Sequence, residues 1–438
     1  MRLAWLYVVG FVLLWPIGFE VGMVAGKPIE LVLSDALPLL VPLTYFFSRS
    51  NPSKTQLKQV KGPLQANYMV PALALLFIVY ATALAGIGLG TSGETVRILS
   101  AFKLVKPIGF VFVGILIGMW TDPFEFLAVI SQVFGALVGV TMLFTMSNPD
   151  FPLGAWGKYI YEWEIVGYPN SAMSFYAAMI PLLLAMVDIS KFSLSRPIGW
   201  GLSACSALII LGSMSRSSAV AMACGVVFYL AATGRFHLLM MCLIGVTISS
   251  IVGLGVFSML KETEMMTVLA DRVNTRLNRS TEDEDPSSGR FEIWSLAIEL
   301  ATERPVFGYM FESFSKYAVV DTPHQQYLEI LHKCGGLGLI LYLAVLVSCF
   351  KLSRQLLRFT PVKSSPWHFT HAMSAMLFAI MIGNLTQPNL TYSLTGNLLF
   401  LLFGCLSTSR AVVSASQPIA ALKVNVVHFD PFRFQRAA

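Results

Sequence analysis

Gly289-Arg290-Phe291-Glu292-Ile293-Trp294, then Arg304-Pro305-Val306-Phe307-Gly308, then Pro323-His324-Gln325-Gln326-Tyr327-Leu328-Glu329 belong to a water-soluble island running from about Lys261 to Gly335. Apolar runs flank it, roughly 238–259 before and 336–353 after, each long enough to cross a bilayer as a helix. A chain that dissolves mostly in lipid keeps long polar loops for work at the membrane surface, so the island is where chemistry is expected.

Working outward, the rest of the 438 residues agrees: 55% are hydrophobic, 12% are charged and the mean hydropathy is +0.69. That is too little charge to clothe a soluble protein of this size. A β-barrel would show short alternating segments, whereas the runs here are continuous over roughly 18–23 residues. The fold expected is all-α, a polytopic helical membrane protein. About twelve spans are predicted, at roughly 4–25, 31–48, 66–88, 99–120, 126–147, 170–188, 197–214, 218–234, 238–259, 336–353, 368–386 and 393–409. The first is long, has a weak basic start and lacks a small-x-small cleavage site before Lys27, so it reads as a retained span and not a signal peptide. The organisation is then a transmembrane bundle over 1–259, a large helical loop over 260–335, further spans over 336–410 and a tail over 411–438.

Basic residues set the orientation. Arg49, Lys54, Lys58 and Lys61 follow span two, Lys191 and Arg196 span six, Arg235 span eight, Lys351, Arg354, Arg358 and Lys363 span ten, and Arg410, Lys423, Arg433 and Arg436 span twelve. All fall on one side if both termini do, which the positive-inside rule makes cytoplasmic. The loops at 89–98, 148–169, 260–335 and 387–392 then face the periplasm of a bacterial inner membrane. Because the net charge of +6 sits in these short loops, it supports no nucleic-acid partner. The six cysteines (Cys205, Cys224, Cys242, Cys334, Cys349, Cys405) lack CxxC spacing, five lie in apolar runs, and they imply neither a disulfide framework nor a metal site.

Inside the island, Glu262–Leu277 has the apolar spacing of an amphipathic helix on the membrane surface, and Asp283-Glu284-Asp285 reads as a solvated turn. A helix is predicted from Gly289 to about Thr302, broken by Arg304-Pro305. A second is predicted with Asp321 or Thr322 as its cap and Pro323 and His324 in its first turn. There the helix macrodipole disfavours imidazolium and keeps His324 a neutral base, which is what a general base needs. His332, eight residues later on the same helix, reads as uninvolved. Arg216, in Met214-Ser215-Arg216-Ser217-Ser218 between two spans, places a guanidinium with hydroxyl neighbours where it can grip a phosphate with two hydrogen bonds. Lys103 and Lys106, at the outward end of span four, add positive charge to that face. His368 and His371 begin a cytoplasmic-side span and read as packing residues.

Ser215-Arg216-Ser217 after a span, Gly289-Arg290-x-x-x-Trp294 followed by Arg304-Pro305-x-x-Gly308, and His324-x-x-Tyr327-Leu328 followed by Gly335-x-x-Gly338 occur in this order. In this the chain resembles the O-antigen ligase and polymerase superfamily over roughly residues 170–350. Family members commonly read His-Asn where this chain has His324-Gln325, so the amide is retained with one more methylene. The resemblance implies a GT-C-like glycosyltransferase that takes its glycan from a polyprenyl-diphosphate donor, without a cofactor. Arg216 and Arg290 would stabilise the departing diphosphate, and His324 would deprotonate the acceptor hydroxyl for inverting attack. Two guanidiniums would make a metal ion unnecessary. Gln325, Tyr327, Lys103, Lys106, Trp294 and Arg304 are expected to bind substrate. A ligase would move the glycan from undecaprenyl diphosphate to lipid A-core; a polymerase would extend lipid-linked or exopolysaccharide repeats with the same chemistry. A transporter would place its ionisable groups at mid-membrane in broken helices, whereas here they gather at the outward surface.

Overall fold

A computed structural model describes residues 18–24, 27–32, 68–147, 169–189, 195–212, 215–238, 240, 289–320, 322–390 and 393–409. The surface helix expected over Glu262–Leu277, the turn at Asp283–Asp285, the span at 238–259 apart from its first residues and the tail lie outside these. Ten helices are described: α1 (Met69–Ser92), α2 (Val96–Trp120), α3 (Pro123–Ser147), α4 (Pro169–Ile189), α5 (Ser195–Gly212), α6 (Arg216–Ala232), α7 (Arg290–Glu303), α8 (Gln326–Phe359), α9 (Ser365–Gly383) and α10 (Ser393–Ser407). Of these α1, α2 and α8 are long and apolar enough to cross a membrane, and five others are apolar but shorter. The molecule is a helical, membrane-type protein, as its composition requires.

The first predicted span fares differently. Gly18–Val24 and Lys27–Val32 pair as an antiparallel hairpin, β1 and β2, in place of the end of the helix expected over 4–25 and the start of the one expected over 31–48, the rest of both lying outside the described residues. Hydropathy in this stretch is high, but Pro16, Gly18 and Gly22 are poor helix formers, and only two residues separate the strands.

Elsewhere helix ends follow local chemistry. α1 stops at Gly93, whose left-handed φ of 70° lets its N–H reach the Leu89 carbonyl at 2.7 Å. α9 starts where Ser364 Oγ accepts from the Trp367 N–H, with a proline in the first turn. α2 packs most closely on α10, because Gly114 and Gly118 on one helix and Gly404 on the other let the backbones touch. A Cβ at Gly118 would lie 2.7 Å from the Cys405 carbonyl oxygen. α4, α6 and α9 form a second packed group, with α5 against α4 and α1 against α8. Buried aromatics such as Phe77, Tyr229, Tyr342, Phe369 and Phe400 fill the interior.

α8 is two arms. At Gly335 the backbone takes φ 67°, ψ −173°, so the chain doubles back. Tyr327, eight residues before the bend, and Tyr342, seven after it, come to a ring separation of 6.2 Å. Glycine is required at this corner: a Cβ would strike the Val306 carbonyl, and Gly308 opposite also has positive φ, with its own Cβ position 2.5 Å from the His332 oxygen. The Arg304–Gly308 turn therefore seats directly on the bend, where Gly336 N–H donates to the Pro305 carbonyl at 2.7 Å. α7 lies over the first arm and buries Ala297 and Leu300 with Tyr309 and Phe314.

Candidate functional site

Two turns that sequence reasoning singled out are held by one loop that it did not. The first turn is the start of α6. Ser215 is its N-cap and is buried, but its hydroxyl does not cap the helix and bonds the Ser218 hydroxyl at 2.9 Å. Arg216 is the first helical residue and is exposed. Gln387, only 4% exposed, lies against this turn. Its Oε1 accepts from Ser174 Oγ at 2.6 Å, and its Nε2 donates to Ser217 Oγ and, at 3.5 Å, to Ser215 Oγ. Both neighbours of Arg216 are thus gripped by one amide.

The second turn is Thr322–Gln325, and here the structure corrects the sequence. The helix begins at Gln326 with Gln325 as N-cap, so neither Asp321 nor Thr322 caps it, and Pro323 and His324 precede it instead of forming its first turn. Gln325 wins the cap because its Oε1 reaches the Leu328 N–H at 2.6 Å from an extended backbone. His324 is consequently pushed into the left-handed region, φ 53°, one residue outside the cap and exposed. That conformation costs about 1 kcal/mol for a residue with a side chain, and such strain persists only where its surroundings impose it. The surroundings here are visible. The Trp294 indole N–H donates to the Pro323 carbonyl at 3.0 Å, and the Gln326 N–H donates to the Asn384 carbonyl at 3.0 Å.

The loop from Asn384 to Leu390 joins the two turns. At one end Asn384 holds the Gln326 N–H and donates from Nδ2 to Tyr342 Oη at 2.9 Å; at the other the Leu390 N–H donates to Gln326 Oε1 at 2.7 Å. Between these ties Gln387 holds the Arg216 turn. Arg290 enters from α7, one helical turn before Trp294 and on the same face, so the helix that carries it is fastened to the histidine turn through the indole.

The remaining expected residues are placed as follows. Gln325 uses its oxygen as a cap, and Tyr327 donates its hydroxyl to the Met381 carbonyl at 2.9 Å. Arg304 lies 4.6 Å over the Tyr309 ring. Tyr309 Oη in turn donates to Glu303 at 2.5 Å, and burial followed by that hydrogen bond pushes its hydroxyl up to about 12. Arg304 thereby belongs to the packing of the island. Lys103 and Lys106 are the eighth and eleventh residues of α2, well along the helix and not at its end. The cation at that end is Arg97, which sequence reasoning missed. Nine-tenths buried, it donates to the Tyr309 and Met310 carbonyls at 3.0 and 3.1 Å and pairs with Glu94 at 3.0 Å and Glu312 at 3.4 Å, clamping the island to the α1–α2 turn. The signal available was the lone Glu94-x-x-Arg97 spacing between two apolar runs. Nothing comparable marked Gln387 or Asn384, which lie near a short loop that hydropathy reads only as a connection.

Residues 201–343 match the family model described as O-antigen ligase. Over that segment, which contains Arg216, Arg290, Trp294, Arg304, His324 and Tyr327, the chain is similar to that family, and the resemblance to the O-antigen ligase and polymerase superfamily stands. Among curated proteins none matches the chain.

Proposed function

We propose that this protein is an inverting, metal-independent glycosyltransferase of the O-antigen ligase type in a bacterial inner membrane. It moves a glycan from undecaprenyl diphosphate to lipid A-core on the periplasmic face. His324 takes the proton from an acceptor hydroxyl; that oxygen attacks the anomeric carbon from the side opposite the diphosphate. The bond to the diphosphate oxygen breaks, and the carrier leaves with the negative charge held by Arg216 and Arg290. Two guanidiniums supply the neutralisation for which nucleotide-sugar enzymes often use a cation. The basic loops support the orientation, and the polar island at 260–335 is the outward catalytic loop.

The observation that carries this reading is the single loop that ties the Arg216 turn to the His324 turn, with α7 and its Arg290 fastened to the same histidine turn through Trp294. A base and two anion-binding cations gathered from distant parts of the chain are what displacement of a diphosphate requires. Deletion of the gene tests it. A ligase leaves cells without an O-antigen ladder and with long lipid-linked chains accumulating; core bearing a single repeat would instead mean a polymerase; an intact ladder and lipid-linked pool would overturn both.

A further inference from the structure

The Asn384–Leu390 loop lies beyond the segment matched to the O-antigen ligase family, which ends at residue 343. Its middle residue nevertheless holds both neighbours of Arg216. The exposed guanidinium stands on the first residue of α6, and the first turn of a helix has few backbone hydrogen bonds of its own to keep it from fraying. What fixes this turn is a cluster of four serine hydroxyls, the buried Ser174, Ser215 and Ser218 and the half-buried Ser217, gathered around the Gln387 amide. A hydroxyl donates or accepts equally well, so the amide grips the cluster in either orientation of its oxygen and nitrogen. The same loop reaches the base from its two ends, through Asn384 and Leu390 to Gln326. We infer that Gln387 is a positioning residue that aims Arg216 at the leaving diphosphate, and that the Asn384–Leu390 loop sets the spacing between Arg216 and His324.

This rests on the transfer reaction proposed above, and the test separates the two. Full-length protein in lipid nanodiscs is assayed with a lipid-linked glycan donor and a lipid A-core acceptor, comparing Gln387→Met, which keeps the side-chain length without its hydrogen bonds, with wild type. The variant is expected to lose about ten- to a hundredfold in kcat, the usual consequence of displacing a catalytic group by about 1 Å, with a rise in donor KM. In an Arg216→Lys background, where the planar grip is already gone, the further loss should shrink to within about twofold, because the amide acts through the guanidinium. Ser217→Ala, which leaves the loop intact, should show the same dependence on Arg216. Wild-type turnover in Gln387→Met would overturn the assignment. So would an equal loss in both backgrounds, which is the mark of general loosening. If wild-type protein transfers nothing, the reaction reading has failed; affinity for undecaprenyl diphosphate alone, measured in wild type, Gln387→Met, Arg216→Lys and the double variant, then decides whether Gln387 aims Arg216 at a diphosphate.

Discussion

Helices α4, α6 and α9 carry a buried polar cluster at each end, and the two are built on opposite rules. At one end Asp188 pairs with Arg235 at 2.6 Å and His368 at 3.4 Å, and Tyr229 donates to it at 2.8 Å. At the other end the groups are neutral: Ser174, the Ser215–Ser218 hydroxyls, Gln387, Asn384 and Gln326. The charged cluster is closed, each ion facing its counter-ion. The neutral cluster keeps hydrogen-bonding capacity in reserve. Among the described residues, Gln326 Nε2, Asn384 Oδ1 and Asn389 Oδ1 are buried without a protein partner. The cation Arg216 and the base His324 stand exposed at its edge. A closed set of ions fastens helices; at the open end it is the solvent-facing guanidinium of Arg216 that suits the site to an anion.

Their separation sharpens the contrast. Ser174 to Asp188, Ser215 to Tyr229 and His368 to Asn384 span fourteen to sixteen residues, roughly 21–24 Å at the helical rise. A bilayer hydrocarbon core is about 30 Å thick.

The first way to break the comparison is to remove the two guanidiniums and the base. Arg216→Ala and Arg290→Ala should each abolish transfer while the protein stays in the membrane, and lysine should rescue poorly because an ammonium cannot grip two oxygens at once. Near-normal turnover with lysine at both positions would refute bidentate phosphate binding. His324→Ala should cost about 10²–10⁴-fold in kcat with donor binding close to wild type. If turnover stayed within a few-fold, His324 would have no place in the chemistry.

The charged cluster should respond in the other currency. Asp188→Ala removes the partner of a part-exposed Arg235 and of the buried Tyr229 hydroxyl and should destabilise the protein by about 1–3 kcal/mol, read as a fall in unfolding temperature, with kcat per folded molecule unchanged. A fall in kcat without loss of stability would erase the distinction between the two ends.

How far the sequence foretold this depends on range. Long-period signals were legible: nine apolar runs appear as helices near their expected positions, one of them as the second arm of α8, and α7 runs between its caps Gly289 and Arg304 as its local chemistry dictates. The hairpin at 18–32 was not, because hydropathy alone cannot tell an apolar strand from an apolar helix when glycine and proline interrupt it. At the site, Arg216, Arg290 and His324 were legible as residue types in order. The cap at Gln325 was not, since whether Thr322 or Gln325 wins depends on tertiary ties from Trp294 and Asn384, more than sixty residues apart in sequence. Gln387 was invisible for the same reason.

His332 is where local reading misleads most. Helical position alone makes it a spectator, yet it is 1% exposed, stacked 4.9 Å from Tyr309 and edge-on to Phe314. Among the described residues neither ring nitrogen has a hydrogen-bond partner. It works as an aromatic plug beneath the island. His332→Ala should cost about 2–4 kcal/mol in stability, whereas His332→Phe should be neutral or stabilising, because it keeps the ring and removes two unpaired polar atoms. Thermal unfolding of the pair decides this, and a phenylalanine variant as unstable as alanine would mean that a ring nitrogen matters.

The smallest effect is expected at the island's outer edge, where an exposed Lys316 bridges the half-exposed Glu94 at 2.5 Å and Glu312 at 2.7 Å. The Lys316 hydrogen bond, aided by Arg97, holds the Glu94 carboxyl below its ordinary value, and Glu312 followed by Glu94 raises Lys316. A lowered carboxylate stabilises above its unfolded pKa and loses that contribution as pH falls through the folded one. A raised lysine stabilises below its unfolded pKa and loses it as pH rises through the folded one. The docking of residues 312–316 should therefore be flat across neutral pH and weaken only in acid below the ordinary carboxylate range, or in strong alkali. Exposed pairs are worth about 0–1 kcal/mol, so Glu94→Gln should lower the unfolding temperature by only a degree or two at pH 7. That difference from wild type should vanish as the pH falls below the carboxylate range. A difference that persisted unchanged in acid would show that Glu94 acts through its shape and not its charge, and that Arg97 alone clamps the island.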